Sequence, residues 1–242
     1  MNSKTNLFAG TIASGWPPNP GPYPDWLPTA PSGDRPHIYA DFANDHYWAD
    51  GAIRTLTELW VENTDYGTFD TANVVAGQGL LTTLGNSSPT VNRSLLSTTL
   101  PTYTVVMSAI ITDLDSADVV SFEVDAVDLP SFDADSSAII YYSQIGDKKL
   151  LGEFLNYNGD SAFTPSVDGV SPTAAAFNIY TDKAVGSLMG SSITSTAVHA
   201  APAAPTDIGI QSSAIASNTG YLQTVAIYDL QPDADLPTLS TP

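Results

Sequence analysis

Three short stretches of this 242-residue chain hold side chains that can do chemistry. In "FEVDAVD", residues 122–128, a β-bulge would bring Asp128 onto the strand face that Glu123 and Asp125 share. Carboxylates grouped in this way can run retaining glycoside hydrolysis, one as nucleophile and another as acid/base. In "TDLDSAD", Asp113, Asp115 and Asp118 supply the oxygen density that a hard cation such as Ca2+ takes, without the glycine and closing glutamate of an EF-hand loop. In "YADFANDHYWADG", residues 39–51, three acids, one histidine and four aromatic rings share thirteen positions. Rings there would stack on the C–H face of a sugar while acids bind its hydroxyls, which makes His46, Tyr47, Trp48 and Asp50 the candidate ligand contacts.

Each stretch also has a plainer reading. Of the 26 acids 22 are aspartates, and polar-out alternation along strands then produces E-x-D by chance. Glu123, Asp125 and Asp128 are therefore expected on a solvated strand face, with catalysis as the alternative. The Asp113–Asp118 stretch reads as an Asx-rich turn, so no cofactor is expected and Ca2+ is the alternative there. Acids at 41, 45 and 50 do not share one strand face, and His46 has no second histidine at a ligand spacing, which disfavours a metal cluster. Tyr39, Phe42, Tyr141 and Tyr142 are further candidates to stack on a sugar, but large aromatics on strands belong mostly to the core. A sugar platform then falls to whichever of Tyr47 and Trp48 faces out. Without cysteine there is no disulfide framework and no thiolate. No G-x-S-x-G occurs, and "VAGQGLL" lacks the Lys-Ser/Thr of a phosphate loop.

The elements that must position these residues read as strands. Short apolar runs bounded by Gly, Pro, Asn, Asp and Ser predict strands at 37–43, 45–49, 59–62, 79–84, 102–112, 119–127, 137–144, 148–156, 174–181, 183–189, 192–198, 206–212 and 220–229. One short helix is predicted in "GAIRTLTELW", where Ile53, Leu56, Leu59 and Trp60 recur at helical spacing. Residues 1–35 differ: "GWPPNPGPYPDWLPTAPSGDRP" has eight prolines in 22 residues and neither period, the mark of an extended arm. Its Trp16, Tyr23 and Trp26 cost solubility unless they dock, so they are the candidate anchors to a neighbouring surface. The division expected is an arm over 1–35 and a β-sandwich over 36–242.

A net charge of −19, with 7 Lys and Arg in all, repels nucleic-acid backbones and anionic lipid, so neither is an expected partner. No apolar run approaches the ~18 residues of a membrane helix, and the first sixteen residues lack a signal-peptide core. A soluble protein that folds in a cytoplasm is the expectation.

Three resemblances sharpen this picture. "FEVDAVD" resembles the E-x-D-x-x-E strand of laminarinase-like glycoside hydrolases, with Asp128 in place of the final glutamate. "YADFANDHYWADGAIRTLTELW" resembles the opening of concanavalin A-like (laminin G-like) jelly-roll modules in tailed-bacteriophage virion proteins, D-F-x-x-x-x-Y-W-x-D-G and then a short helix. "GYLQTVAIYDLQPDADLPTLST", residues 220–241, is similar to the closing strand and helix of the same modules, although Pro232 and Pro237 predict that this helix is lost or cut back. The virion resemblance implies an all-β, concanavalin A-like jelly-roll sandwich of two antiparallel sheets behind an extended Pro-rich arm. It also implies a non-enzymatic structural protein on the virion surface, a capsid decoration, head fibre or tail component, made in the host cytoplasm. Its implied partners are other virion proteins, further copies of itself and glycans. The competing implication is a glycoside hydrolase or depolymerase using Glu123, Asp125 and Asp128.

Overall fold

A computed structural model describes residues 23–49, 51–62, 71–81, 89–91, 102–113, 119–128, 133–143, 149–156, 161–163, 167–168, 172–180, 183–191, 194–197, 207–214 and 219–242. Strands are numbered in chain order, and every pairing between them is antiparallel. The first sheet runs β16 (Thr194–Ala197), β15 (Lys183–Leu188), β14 (Thr173–Ile179), β8 (Tyr103–Asp113), β18 (Thr219–Asp229), β1 (Ile38–Asp41), β2 (His46–Ala49), β3 (Ala52–Arg54). Beside β18 lies β6 (Gly79–Leu81), which pairs with β5 (Val74–Val75). The second sheet runs β12 (Ser161–Phe163), β11 (Lys149–Asn156), β10 (Asp133–Ser143), β9 (Val119–Asp128), β17 (Asp207–Ala214), β7 (Pro89–Val91), β4 (Trp60–Glu62), with β13 (Val167–Asp168) on β11. Strands β9, β10 and β17 lie against β14 and β18. The chain is an all-β jelly-roll sandwich.

Period-two alternation fills the space between the sheets. Ile38, Ala40 and Phe42 from the first strand region, Tyr47 and Ala49 from β2, Tyr103, Val105, Met107 and Ala109 from β8, and Phe177 from β14 form the main core. A bulge at Gln223 lets both Leu222 and Val225 of β18 point inward, because one extra residue resets the parity. Gly79 of β6 approaches this bulge so closely that a Cβ would lie 2.4 Å from the Leu222 carbonyl oxygen. Its φ of +125° is also one that glycine tolerates.

The outer face of the first sheet is covered as well. Residues 23–35 cross it as a strap, where Leu27 and Ala30 pack with Tyr39, Trp48, Ala226 and Tyr228. Further along, Leu236 packs on Ala176 and Val185, with Leu239 beside them. Small residues on the outer side of β14 let the C-terminal segment lie close, which is why all seven positions of "TAAAFNI" are buried. Gln231, only 1% exposed, ties these pieces together. Its amide accepts from Ser32 and donates to Asp34 in the strap, while its backbone N–H donates to Thr104 of β8 and its carbonyl accepts from Asn178 of β14.

One local expectation changes, and another is met as a helix cut back to one turn. The helix expected over "GAIRTLTELW" is a single turn, α1 (Leu56–Leu59), preceded by β3. Thr55 closes a capping box with Glu58, which fixes the helix start after Ile53, and Ile53 sits 62% exposed on the edge strand instead of on a helical face. At the other end, α2 (Leu236–Leu239) survives as one turn, because Pro237 occupies a first-turn position where no intrahelical N–H bond is needed. A 3-10 turn over Asp233–Asp235 leads into it.

Candidate functional site

The stretch 39–51 opens the first sheet. Asp41, 8% exposed, accepts from the Asn44 backbone N–H at 3.0 Å and from its side-chain amide at 2.8 Å, so its carboxylate is spent on closing the β1–β2 turn. Asp45 completes that turn at φ 57°, a left-handed conformation that Asp adopts more readily than most residues. Tyr47 points inward and meets Phe42 edge-on at 6.0 Å, and Phe42 stacks on Trp60 at 6.1 Å. Burial, and then the neighbouring Asp45 carboxylate, push the Tyr47 phenol well above its ordinary range.

Trp48 points the other way but is equally hidden, under the strap, with the Tyr23 ring 5.6 Å away. Tyr47 is 1% and Trp48 2% exposed, which corrects the expectation that one of the two faces out. The physical reason is that both faces of this sheet are covered, one by the second sheet and one by the strap. Of the four expected ligand contacts, only His46 among the described residues keeps partial exposure, and its ring stacks on Trp26 at 4.6 Å and 11°. Asp50 lies outside the described residues.

The expected anchors are corrected in the same way. Trp26 stacks between His46 and Tyr39, the latter at 6.0 Å, and Tyr23 packs on Trp48, so both rings serve this chain's own sheet. Trp16 lies outside the described residues. Arg35 fastens the strap further: its guanidinium lies 5.2 Å from the Tyr23 ring centre and donates to the Leu27 carbonyl. Burial pushes the Tyr228 phenol beneath the strap up to about 12, with Arg35 pulling slightly the other way.

The carboxylate strand falls in the middle of the second sheet. Glu123 of β9 pairs with Ile139 and Gln211, and Asp125 with Ser137 and Gly209. The β9–β17 ladder runs residue for residue from Val120 to Val127, and the irregularity lies on β10, between Ala134 and Ser136. That register keeps Glu123 and Asp125 at one parity and Asp128, paired with Asp133, at the other. Asp113 ends β8 opposite Thr219, while Asp115 and Asp118 lie outside the described residues.

Sequence reasoning missed one constellation. Where the strap meets the end of β18, Tyr23, Gly33, Asp34, Arg35 and Asp229 line an open cleft of about 430 Å3. Asp229 Oδ1 lies 2.9 Å from His37 Nε2, and that bond holds its carboxyl below the usual range. Asp229 stands 192 residues from His37, so no local motif could reveal the pair; only the β1–β18 pairing brings it together. A second cleft of about 360 Å3 lies at the β1–β2 turn, between Asn44, Asp45 and Thr71 on its polar side and Leu56 and Val74 on its apolar side.

No family model matches this chain, and no curated protein does either. Solved structures do. The β-glucanase of Bacillus licheniformis is similar at 14% identity and a TM-score of 0.51, over 80% of this chain and 97% of its own. The CBM2 module of the evolved Dit of Lactobacillus casei BL23 phage J-1 is similar at 11% identity and a TM-score of 0.42, over 61% of this chain and 70% of its own. The CBM40 of Ruminococcus gnavus IT-sialidase is similar at 15% identity and a TM-score of 0.41, over 60% of this chain and 85% of its own. At such identity the first of these likenesses establishes the fold, the concanavalin-like jelly roll, and nothing of the chemistry.

Proposed function

We propose that this chain is a non-enzymatic structural protein of a tailed-bacteriophage virion. In this reading it is a jelly roll displayed on the particle surface as a head decoration, head fibre or tail component, attached through residues 1–22 and contacting glycans without cutting them. The observation that carries this reading is the adjacency of the two stretches on which the virion resemblance rests. They form neighbouring strands, β1 and β18, paired residue for residue from Ile38↔Ile227 to Asp41↔Thr224. Since residues 23–35 are spent on this chain's own sheet, attachment falls to the segment before them, which carries Trp16. Synthesis in the host cytoplasm and assembly in symmetric copies accompany this reading.

Particle incorporation tests it. A chain beginning at residue 23 keeps the strap and is expected to fold but to be absent from purified particles. Its normal incorporation would overturn attachment through residues 1–22.

A second reading, a glycan depolymerase, has Glu123 and Asp125 at one parity on a central strand in its favour. Asp128 at the other parity, with a side chain one methylene shorter than glutamate, counts against the three working together. Polysaccharide cleavage by the intact chain, abolished in Glu123→Gln, would establish it.

A further inference from the structure

We propose that the cleft between strap and sheet, lined by Tyr23, Gly33, Asp34, Arg35 and Asp229, binds one uncharged pyranose through a pair of adjacent hydroxyls. This rests on the glycan-contact reading above and gives that contact a place. At about 430 Å3 the cleft lies within the roughly 300–1,000 Å3 range of small-molecule sites.

Its polar groups are complementary to a diol and are held in place before any ligand arrives. Arg35 carries five N–H donors, and the Leu27 carbonyl takes one of them. Hydroxyl oxygens can accept from the same guanidinium plane while their hydrogens go to the carboxylates. Asp34 is fixed by Gln231 at 3.2 Å, with the Ser32 hydroxyl, whose one proton it shares with the Gln231 amide oxygen, at 2.8 Å, and Asp229 is fixed by His37 at 2.9 Å while its side chain stays 61% exposed. Preorganisation of this kind lowers the ordering cost of binding. Tyr23 lines the cleft with the Arg35 guanidinium over its ring, and at Gly33 a side chain would meet no atom within 4 Å, so the rim is open to a following sugar unit. Two carboxylates in the lining and a chain charge of −19 oppose an acidic sugar.

Four of the five lining residues belong to the strap and the fifth to β18, so the cleft exists only while the strap is docked. Bound sugar therefore stabilises the docked strap, and docking stabilises binding, by reciprocal linkage.

The test uses the full chain and methyl glycosides of glucose, mannose and galactose, with N-acetylneuraminate as the charged comparison. Each is titrated to about 20 mM, well above a ~1 mM dissociation constant, and followed by ligand-observed NMR and Trp fluorescence. At least one neutral glycoside is expected to bind saturably and to slow amide exchange at Leu27 and Gly33. Asp34→Asn and Asp229→Asn are expected to weaken it tenfold or more, and neuraminate is expected not to bind. Asp34→Asn retains a carbonyl acceptor for Ser32 and Gln231, so its loss of affinity reads the missing charge and not a detached strap. Silence of all three neutral glycosides, or equal affinity in Asp34→Asn, overturns the assignment. Glycan-array binding unchanged by both substitutions would overturn this cleft while leaving the glycan-contact reading intact; a silent array would remove both.

Discussion

Replacing Leu27 with alanine separates strap docking from folding of the sandwich. Leu27 is 2% exposed and packs among Tyr39, Trp48, Ala226 and Tyr228, so the truncation removes buried methyl groups that the rigid sheet cannot close over. For such a site the cost is about 2–4 kcal/mol. The strap is one layer thick and held by a handful of side chains, so it detaches before the two sheets separate. At 1.36 kcal/mol per factor of ten, the detached fraction should rise roughly 30- to 1,000-fold. Native-state hydrogen exchange reads this directly. The Leu27 amide donates to Pro24 at 3.0 Å and the Gly33 amide to Ala30 at 2.8 Å, both inside the strap, whereas the His37 amide donates to Ile227 at 2.8 Å at the start of the sheet. Strap amides should lose protection by the stated factor while those paired between β8 and β18 stay unchanged. Equal loss across the strap and the β8–β18 ladder would refute a separable strap, and unchanged strap exchange would refute the claim that Leu27 holds it.

Other substitutions probe the remaining contacts. Asn178→Ala, at a side chain that bonds Thr104, the Gln231 carbonyl and Asp233, should lower the denaturant-derived stability by about 2–4 kcal/mol, because it strands several buried polar atoms. Desolvation raises the Asp233 carboxyl, but Tyr180, Asn178 and Lys183 outweigh it and the net direction is down; Tyr180→Phe should therefore raise it, as measured by NMR titration. The Asp229 carboxyl is depressed chiefly by its bond to His37, so the stability it lends is present above the unfolded carboxylate value of about 3.9 and lost as pH falls through the lower folded value. The denaturant-derived stability of the wild type should thus exceed that of Asp229→Asn above about pH 5, and the two should converge in stronger acid.

Most of the sandwich was legible because strands announce themselves through alternation and punctuation. Every predicted strand has a counterpart, from "HIYADFA" to "YLQTVAIYD". The pairs and triplets at Val74–Val75, Pro89–Val91, Ser161–Phe163 and Val167–Asp168 were not, since two or three residues cannot display a period. Ile53 was drawn into a helical pattern because a capping box, not periodicity, decides where α1 begins. The covered outer face carried a signal that went unused. In "IYAD", "HYWA" and "TAAAFNI" apolar residues occupy both parities, which happens when a sheet is buried on both sides. Tyr23, Trp26, Leu27 and Ala30 supply that cover from a proline-ruled segment with no period of its own, so its docking partner could not be read from spacing. Asp34, Arg35 and Asp229 meet only through β1–β18 pairing, and no short motif marks them.

The central claim, glycan contact without turnover, is tested most directly by a single incubation. The full chain is mixed with a panel of bacterial surface and algal polysaccharides, and bound protein and newly formed reducing ends are measured in the same samples. Saturable binding to at least one polysaccharide, with reducing ends at the level of a protein-free blank, is the expected result. New reducing ends that disappear in Glu123→Gln would contradict it and make this jelly roll an enzyme.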